Sequence, residues 1–411
     1  MKLNFLPNSL KNFDKKALFD RGLTFDQFPS KKLENWKFTD LNRILNFKFK
    51  ELNILNEKKT FEPKEKLDFE HNSIVTVNGD VSNYDFGNGN KKFENSSDSA
   101  SKKIILKVNK NHPFANSIGE ANNDSLLANN IAFSDRGINL ECLSDIQKPL
   151  VIYNFFVGDL ENKFINNSNK IKLTNSKTTI IEYNIDNSEC NFFRNTFQMF
   201  DLDNSELDYF VINNKISNSY NYIRNSIKIN KSKYKNYIFT SGVKFKKEDN
   251  DIFLNSENSS TEIYSASVLK KDEHQEVQST IRHMAPNCKS LQKIKTILKD
   301  SSKGIFQGKI YVDKKAQKTD AYQMSKGLML DNDSEFTTKP ELEIYADDVK
   351  CSHGSTSGNI DEQALYYLMS RGISRKKATQ LIIKGFLEDV ISEIRTTNLK
   401  ILVESHLEKS L

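Results

Sequence analysis

Residues 304–358 read GIFQGKIYVDKKAQKTDAYQMSKGLMLDNDSEFTTKPELEIYADDVKCSHGSTSG, and this stretch decides the fold. Short apolar strokes alternate with polar turns: Ile310 and Val312, then Leu328 and Leu330, then Leu342 and Ile344. Each pair is two residues apart, which places both side chains on one face of a strand. The strokes return about every 14 to 18 residues with no helix between them. Strands stacked as successive coils have that rhythm, whereas tight hairpins do not. The expected fold is therefore mainly β, with these residues as the last coils of a solenoid.

Working backwards, residues 131–269 hold further strokes of the same kind, among them INLECL, LVIYNFFV, KIKLT, TTIIEYNI, ELDYFVI, SIKINKS, YIFTSGV and DIFLN. No helical signal of ten residues interrupts them, and β-α alternation is missing, so a doubly wound sheet is excluded. The period alone leaves sandwich, barrel and solenoid open. Earlier still, SIVTVNGDVSNYDF and KKIILKVNK read as strands, with an Asn-Gly turn at Asn78 and Gly79. Residues 112–130 and 8–22 read as helical, the latter with Leu10, Phe13, Ala17 and Leu18 on one side. The lone tryptophan, Trp36, reads as a core anchor.

Working forwards, Asp361 is placed to cap a helix that stops at Gly372, and Ser374 to cap a second. The apolar stripe expected on the second is Ala378, Leu381, Ile382, Phe386, Val390 and Ile394. A third helix, LKILVESHLEK, follows. The division expected is a mostly helical N-terminal region 1–130, a β core 131–357 and a helical C-terminal region 358–411.

Composition narrows the function. Among 411 residues, 60 basic and 54 acidic side chains give a net charge of +6, scattered rather than gathered on a face with aromatics, so nucleic acid is not an expected partner. The abundance of Asn, Lys and Ile reads as a coding bias more than a function. Cys142, Cys190, Cys288 and Cys351 form no CxxC pair, which fits a reducing compartment and excludes a disulfide framework. No apolar run nears the roughly 18 residues of a membrane span, and no leader is evident, so a soluble cytoplasmic protein is expected. GxxxxGK[ST], HExxH and GxSxG are all missing, which argues against nucleotide hydrolysis and the commonest hydrolytic sites.

The residues able to bind metal are His274, His283, Cys288, Cys351 and His353. Thiolate and imidazole suit iron and iron-sulfur ligation, although strand alternation would equally make Cys351 a small buried hydrophobe and His353 a strand-end histidine. Asp347 and Asp348 are neighbours on opposite strand faces and read as a polar turn.

The runs GKIYVDKKAQKTDAYQ, TKPELEIYADDVKCSHG and DEQALYYLMSRGI, with the earlier WKFTDL, resemble the SufB/SufD family of iron-sulfur cluster assembly scaffolds. The CSHG version is similar to the SufD branch. The resemblance implies a right-handed parallel β-helix core and a non-enzymatic scaffold that binds no cofactor tightly on its own. It implies pairing with a SufB-like scaffold through the terminal strands, and a transient cluster at the contact near His353 and, with less support, Cys351. It also implies docking of a SufC-like ATPase on the second C-terminal helix, at Ala378, Leu381, Ile382, Lys384, Gly385, Phe386 and Glu388. Whether the isolated chain also forms a homodimer is left open by the sequence. The competing readings are a sulfur-accepting SufB-like scaffold, which the CSHG residues disfavour, and a polysaccharide-active β-helix with charges clustered on one outer sheet.

Overall fold

A strand whose two faces are both apolar must bury one against a second sheet and the other under a covering layer. The chain does this up to its last coil, in a computed structural model that describes residues 28–410 except 56, 60, 62–64, 88–90, 93–96, 99–102, 109–123, 135 and 214–216. The expected helix over 8–22 and the first part of the expected helical stretch 112–130 lie outside the described residues.

The N-terminal part holds a 3-10 turn at Glu34–Trp36, α1 (Leu41–Lys48), β1 (Asn53–Ile54), β2 (Asn72–Val77), β3 (Asp80–Asp85), β4 (Lys91–Lys92), β5 (Ser97–Asp98), β6 (Ile104–Val108) and α2 (Ser125–Phe133). From there the chain alternates between two sheets. One takes β7 (Ile138–Cys142), β9 (Lys163–Thr174), β11 (Phe193–Asp203), β13 (Ser217–Asn230), β15 (Val243–Leu254), β17 (His274–His283), β19 (Lys303–Val312) and β21 (Glu335–Ile344). The other takes β8 (Leu150–Phe156), β10 (Lys177–Asp186), β12 (Glu206–Asn213), β14 (Lys233–Ser241), β16 (Ser260–Leu269), β18 (Lys289–Leu298), β20 (Thr319–Met329) and β22 (Val349–Asn359). Each strand pairs in parallel with its predecessor one coil back, as β10 does with β8 and β11 with β9. The result is a β-solenoid of about 8 turns, as the strokes and the resemblance led us to expect.

The N-terminal region is mixed, and much of its expected helix lies outside the described residues. Its described residues are more strand than helix: β2 joins β8 in parallel, turns through Asn78 (φ 52°) and Gly79 (φ 91°) into antiparallel β3, and β6 lies antiparallel on β7. These strands close the first rung of both sheets, where an unpaired edge would otherwise invite a second chain.

Inside the coil, Ile180, Leu207, Ile227, Ile252, Ile263 and Phe306 are buried, each aligned with its counterpart a turn away. Outside, Phe28, Trp36, Leu41 and Leu45 cover the first sheet at Phe164, Phe193, Tyr222 and Phe245. Trp36 is the anchor expected of it, 5.2 Å from Tyr222 and 4.9 Å from the buried ammonium of Lys247. Lys247 is held by Asp249 at 2.9 Å and by Glu276, to which Thr39 also donates.

The coil turns give some of the asparagines a structural place. Asn162, Asn175, Asn204, Asn258 and Asn287 adopt positive φ at the corners, a conformation asparagine tolerates better than most residues. The next residue continues a ladder. Ser205 Oγ accepts from the Ser176 amide at 3.1 Å, and Ser232 Oγ from the Ser205 amide at 2.9 Å. This corner repeat, a positive-φ residue followed by Ser, Cys or Thr about every 27 to 31 residues, is present in the sequence and was overlooked there.

α3 (Glu362–Ser370), α4 (Arg375–Ile391) and α5 (Thr397–Glu408) end the chain, with Asp361 and Ser374 capping as expected and Gly372 at φ 84°. α4 lies on the outer face of the second sheet and not over the open end of the coil. Its buried residues are Ala378, Ile383, Leu387, Val390 and Ile391, packed with Tyr237, Tyr264, Ile297 and Leu328. Lys293 and Lys295 pin it through Glu393 and Asp389. Leu328 therefore faces outward, while Ile310 and Val312 face in as expected.

Burial holds the imidazoles of His274, His283 and His406 down at about 4. Burial likewise raises the Glu273 carboxyl to about 7. An unfolded histidine takes a proton below about 6.5, which these folded ones do not, so their contribution is full above that value and is lost as pH falls toward 4. Glu273 works in the opposite sense, since its folded form holds a proton between about 4.5 and 7 that the unfolded form releases. Unfolding near pH 5.5 should accordingly take up about two protons net from these four groups. The urea midpoint should fall from pH 7 to 5.5, and less so in His283→Gln; an unchanged midpoint would contradict the neutral burial of these rings.

Candidate functional site

Both sheets stop at the last coil. β21 ends the first sheet and β22 the second, and among the described residues no further strand covers their outer edges. Free strand edges present unpaired N–H and C=O groups to another chain.

Register decides which side chains stand at that opening. On β20, Thr319, Ala321, Gln323 and Ser325 are buried toward the coil interior, while Asp320 and Tyr322 are exposed. β22 pairs with β20 in register, Ala321 beside Cys351, Gln323 beside His353 and Ser325 beside Ser355. Cys351, His353 and Ser355 therefore extend the inward line of the coil, but with nothing beyond them. Cys351 is half-buried and packs with Ala321, Leu342 and Val349, while His353 is exposed. The same register places Leu342 beside Ile310 and Ile344 beside Val312. Ile344, fully inward in a middle coil, is 37% exposed here.

Burial, with the charge of Asp320 adding to it, raises the Cys351 thiol above its usual range. In the isolated chain it is a thiol rather than a thiolate, and a metal or cationic neighbour would have to draw off the proton before it could ligate.

The other metal-capable residues are dispersed. His274 lies on the outer face of the first sheet, 2.9 Å from Thr39 Oγ1 and with its ring 5.3 Å from that of Phe245, tilted by 34°. His283 is inside the coil, its Nε2 2.9 Å from Ser290 Oγ, and Cys288 is buried in the corner ladder with its thiol raised by burial. Among the described residues no group of three or more His, Cys, Asp and Glu could hold a metal ion. Cys351 and His353 thus offer two donors on one free strand, and any further donors must come from elsewhere. Asp347 and Asp348 form the polar turn before β22, where the Asp348 amide donates to Gln317 Oε1.

The C-terminal helices expose a second surface. Of the residues expected to meet a partner on α4, Leu381, Lys384 and Gly385 are exposed, and Ile382, Phe386 and Glu388 are half-buried. Ala378 is wholly buried and cannot touch a partner, a correction to the expected set. Of the expected stripe, Ala378, Val390 and Ile394 are buried and Phe386 packs on the core, while Ile383 and Leu387 meet the sheet in place of Leu381 and Ile382. Lys384 pairs with Glu408 at 3.3 Å and Glu388 with Lys400 at 3.0 Å, on α5. On the C-terminal helices the most exposed large apolar groups lie on α3, Tyr366 at 74% and Tyr367 at 60%, with Met369 beside them.

No helix among the described residues is long and apolar enough to cross a membrane.

The SUF system FeS cluster assembly SufBD core domain matches residues 156–386. The SufD protein of Escherichia coli is 42% identical over 147 residues, 36% of this chain and 35% of that protein. A SufBD family protein of Synechocystis is 31% identical over 169 residues, 41% of this chain and 37% of that protein. SufB of Bacillus subtilis is 33% identical over 130 residues, 32% of this chain and 28% of its own length. The chain spans about a third of the length of the curated relatives it matches.

Proposed function

The chain belongs to the SufBD family of the SUF iron-sulfur cluster assembly system, and on that premise we propose that it works as a SufD-type scaffold subunit in the cytoplasm, without catalysis of its own. β21 and β22 would pair with the terminal strands of a SufB-like scaffold. The face of α3 and α4 would receive a SufC-like ATPase. ATP-driven movement of that partner would reach the scaffold contact and open it to iron and sulfide, which are cargo rather than resident cofactors.

The observation that carries this reading is the position of Cys351 and His353. They stand on β22, which ends the second sheet at the last coil, in the inward line, so a partner strand laid on its outer edge would enclose them. Two donors from each of two chains suit a cluster that forms and is later released. A saccharide-cleaving cleft is less well supported, because the charges on the outer first sheet are paired, Arg224 with Asp124 at 2.6 Å and Arg282 with Asp251.

Co-expression with SufB-like and SufC-like partners, anaerobic isolation and an absorption spectrum test the reading. A complex carrying the absorption of an iron-sulfur cluster is expected; recovery of this chain alone from such cells would refute it. Replacing Tyr366 and Tyr367 together with aspartate should weaken binding of the ATPase about 30-fold, the effect of losing one good hot spot, and leave scaffold pairing unchanged. Titration of the purified variant by calorimetry reads this directly.

A further inference from the structure

The inward line is polar where it approaches β22. Gln292 on β18, Gln323 on β20 and His353 on β22 share one register position. Ser279 Oγ donates to Gln292 Oε1, and Gln292 Nε2 donates to Gln323 Oε1 at 3.2 Å. Gln323 Nε2 donates to the Gly308 carbonyl at 3.3 Å. Both glutamines are wholly buried.

Gly308 makes room for this arrangement. A Cβ at that position would come within 2.5 Å of Gln323 Oε1 and 2.6 Å of the Phe306 ring. The Gln323 carboxamide is thus held in one plane by a neighbour on each side. Its oxygen retains one lone pair and its nitrogen one N–H. The next side chain, one strand spacing of about 4.8 Å away, is the His353 imidazole, which has no hydrogen bond among the described residues. One step along the strands the ladder already reaches β22, where Ser325 Oγ bonds Ser355 Oγ at 3.2 Å.

We propose that Gln323 is a positioning residue for His353: its carboxamide oxygen takes a ring N–H of His353 when a partner strand covers the open rung. A neutral imidazole has one N–H and one lone pair, so a fixed acceptor behind the ring turns the other nitrogen, unprotonated, toward the contact. Ser279 and Gln292 set the carboxamide, and the carboxamide sets the ring. This rests on the reading of His353 as a cluster donor.

The test uses the complex with co-expressed SufB-like and SufC-like partners, reconstituted with iron and sulfide. Gln323→Leu should assemble normally and lose iron to a chelator about 10- to 100-fold faster, the usual effect of removing a group that orients a metal-bound histidine. Gln323→Glu, which keeps the acceptor, should restore most of the retention. In a His353→Ala background, Gln323→Leu should change nothing further. An equal loss in that background would show a merely structural role and overturn the proposal, as would unchanged iron loss in Gln323→Leu. If Gln323→Leu does not assemble, the comparison of Gln323→Met with and without His353 decides in the same way. Full activity of His353→Ala alone would instead refute the role of His353.

Discussion

Replacing His353 with alanine is expected to leave the three-component complex intact and to reduce its cluster yield at least ~10-fold. The size follows from the small donor set. This chain offers Cys351 and His353, and among the described residues no third donor stands beside them. Removing a ligand should cost no less than the 10- to 100-fold seen when only a ligand's orienting partner is lost. Assembly should survive because the imidazole is exposed on β22 and supports no packing. Gel filtration would report the complex, and absorbance together with iron and sulfide content the cluster. Wild-type reconstitution by His353→Ala would remove this residue from the site. Cys351→Ser is the companion variant. Its half-buried thiol packs against Ala321, so some loss of stability should accompany any loss of cluster.

The second large effect separates two isoleucines that look alike in the sequence. Ile310→Asp should give no folded protein, whereas Ile344→Asp should give a folded chain that fails to join its scaffold partner. Ile310 is wholly buried between coils. Loss of its side chain costs about 2–5 kcal/mol, and an unpaired carboxylate in its place costs several more. Together these approach the whole stability of a domain, about 5–15 kcal/mol. Ile344 stands beside Val312 on the last strand, in the same inward line as Ile310, and among the described residues no further strand covers it. An aspartate there reaches water in the free chain and loses that water only when a partner strand arrives. Circular dichroism and pull-down distinguish the outcomes. Insoluble Ile344→Asp, or a soluble and folded Ile310→Asp, would mean that the last coil has been read in the wrong direction.

Strand positions were the most legible part of the chain. Alternation across ELDYFVI or TTIIEYNI follows from backbone geometry that needs no distant partner, and β10 and β12 contain those runs. The caps Asp361 and Ser374 and the stop at Gly372 were legible for the same reason. Burial was harder to read. Leu328 and Leu330 show the same spacing as Ile310 and Val312, yet they face the C-terminal helices because the second sheet has two apolar sides. On α4, Leu381, Ile382 and Ile383 are consecutive, so periodicity alone could not select the residue that meets the sheet.

The sequence by itself determined that the chain would alternate, turn and stack, because strand pleat, corner conformation and helix caps are set within a few residues. It also contained Cys351 and His353 at a spacing that puts both on one strand face. Only the tertiary structure decided that this strand is the last of its sheet and that Gln323 lies beneath His353. Register across a coil joins residues some thirty positions apart, and it arises from the stacking of whole turns rather than from any local preference.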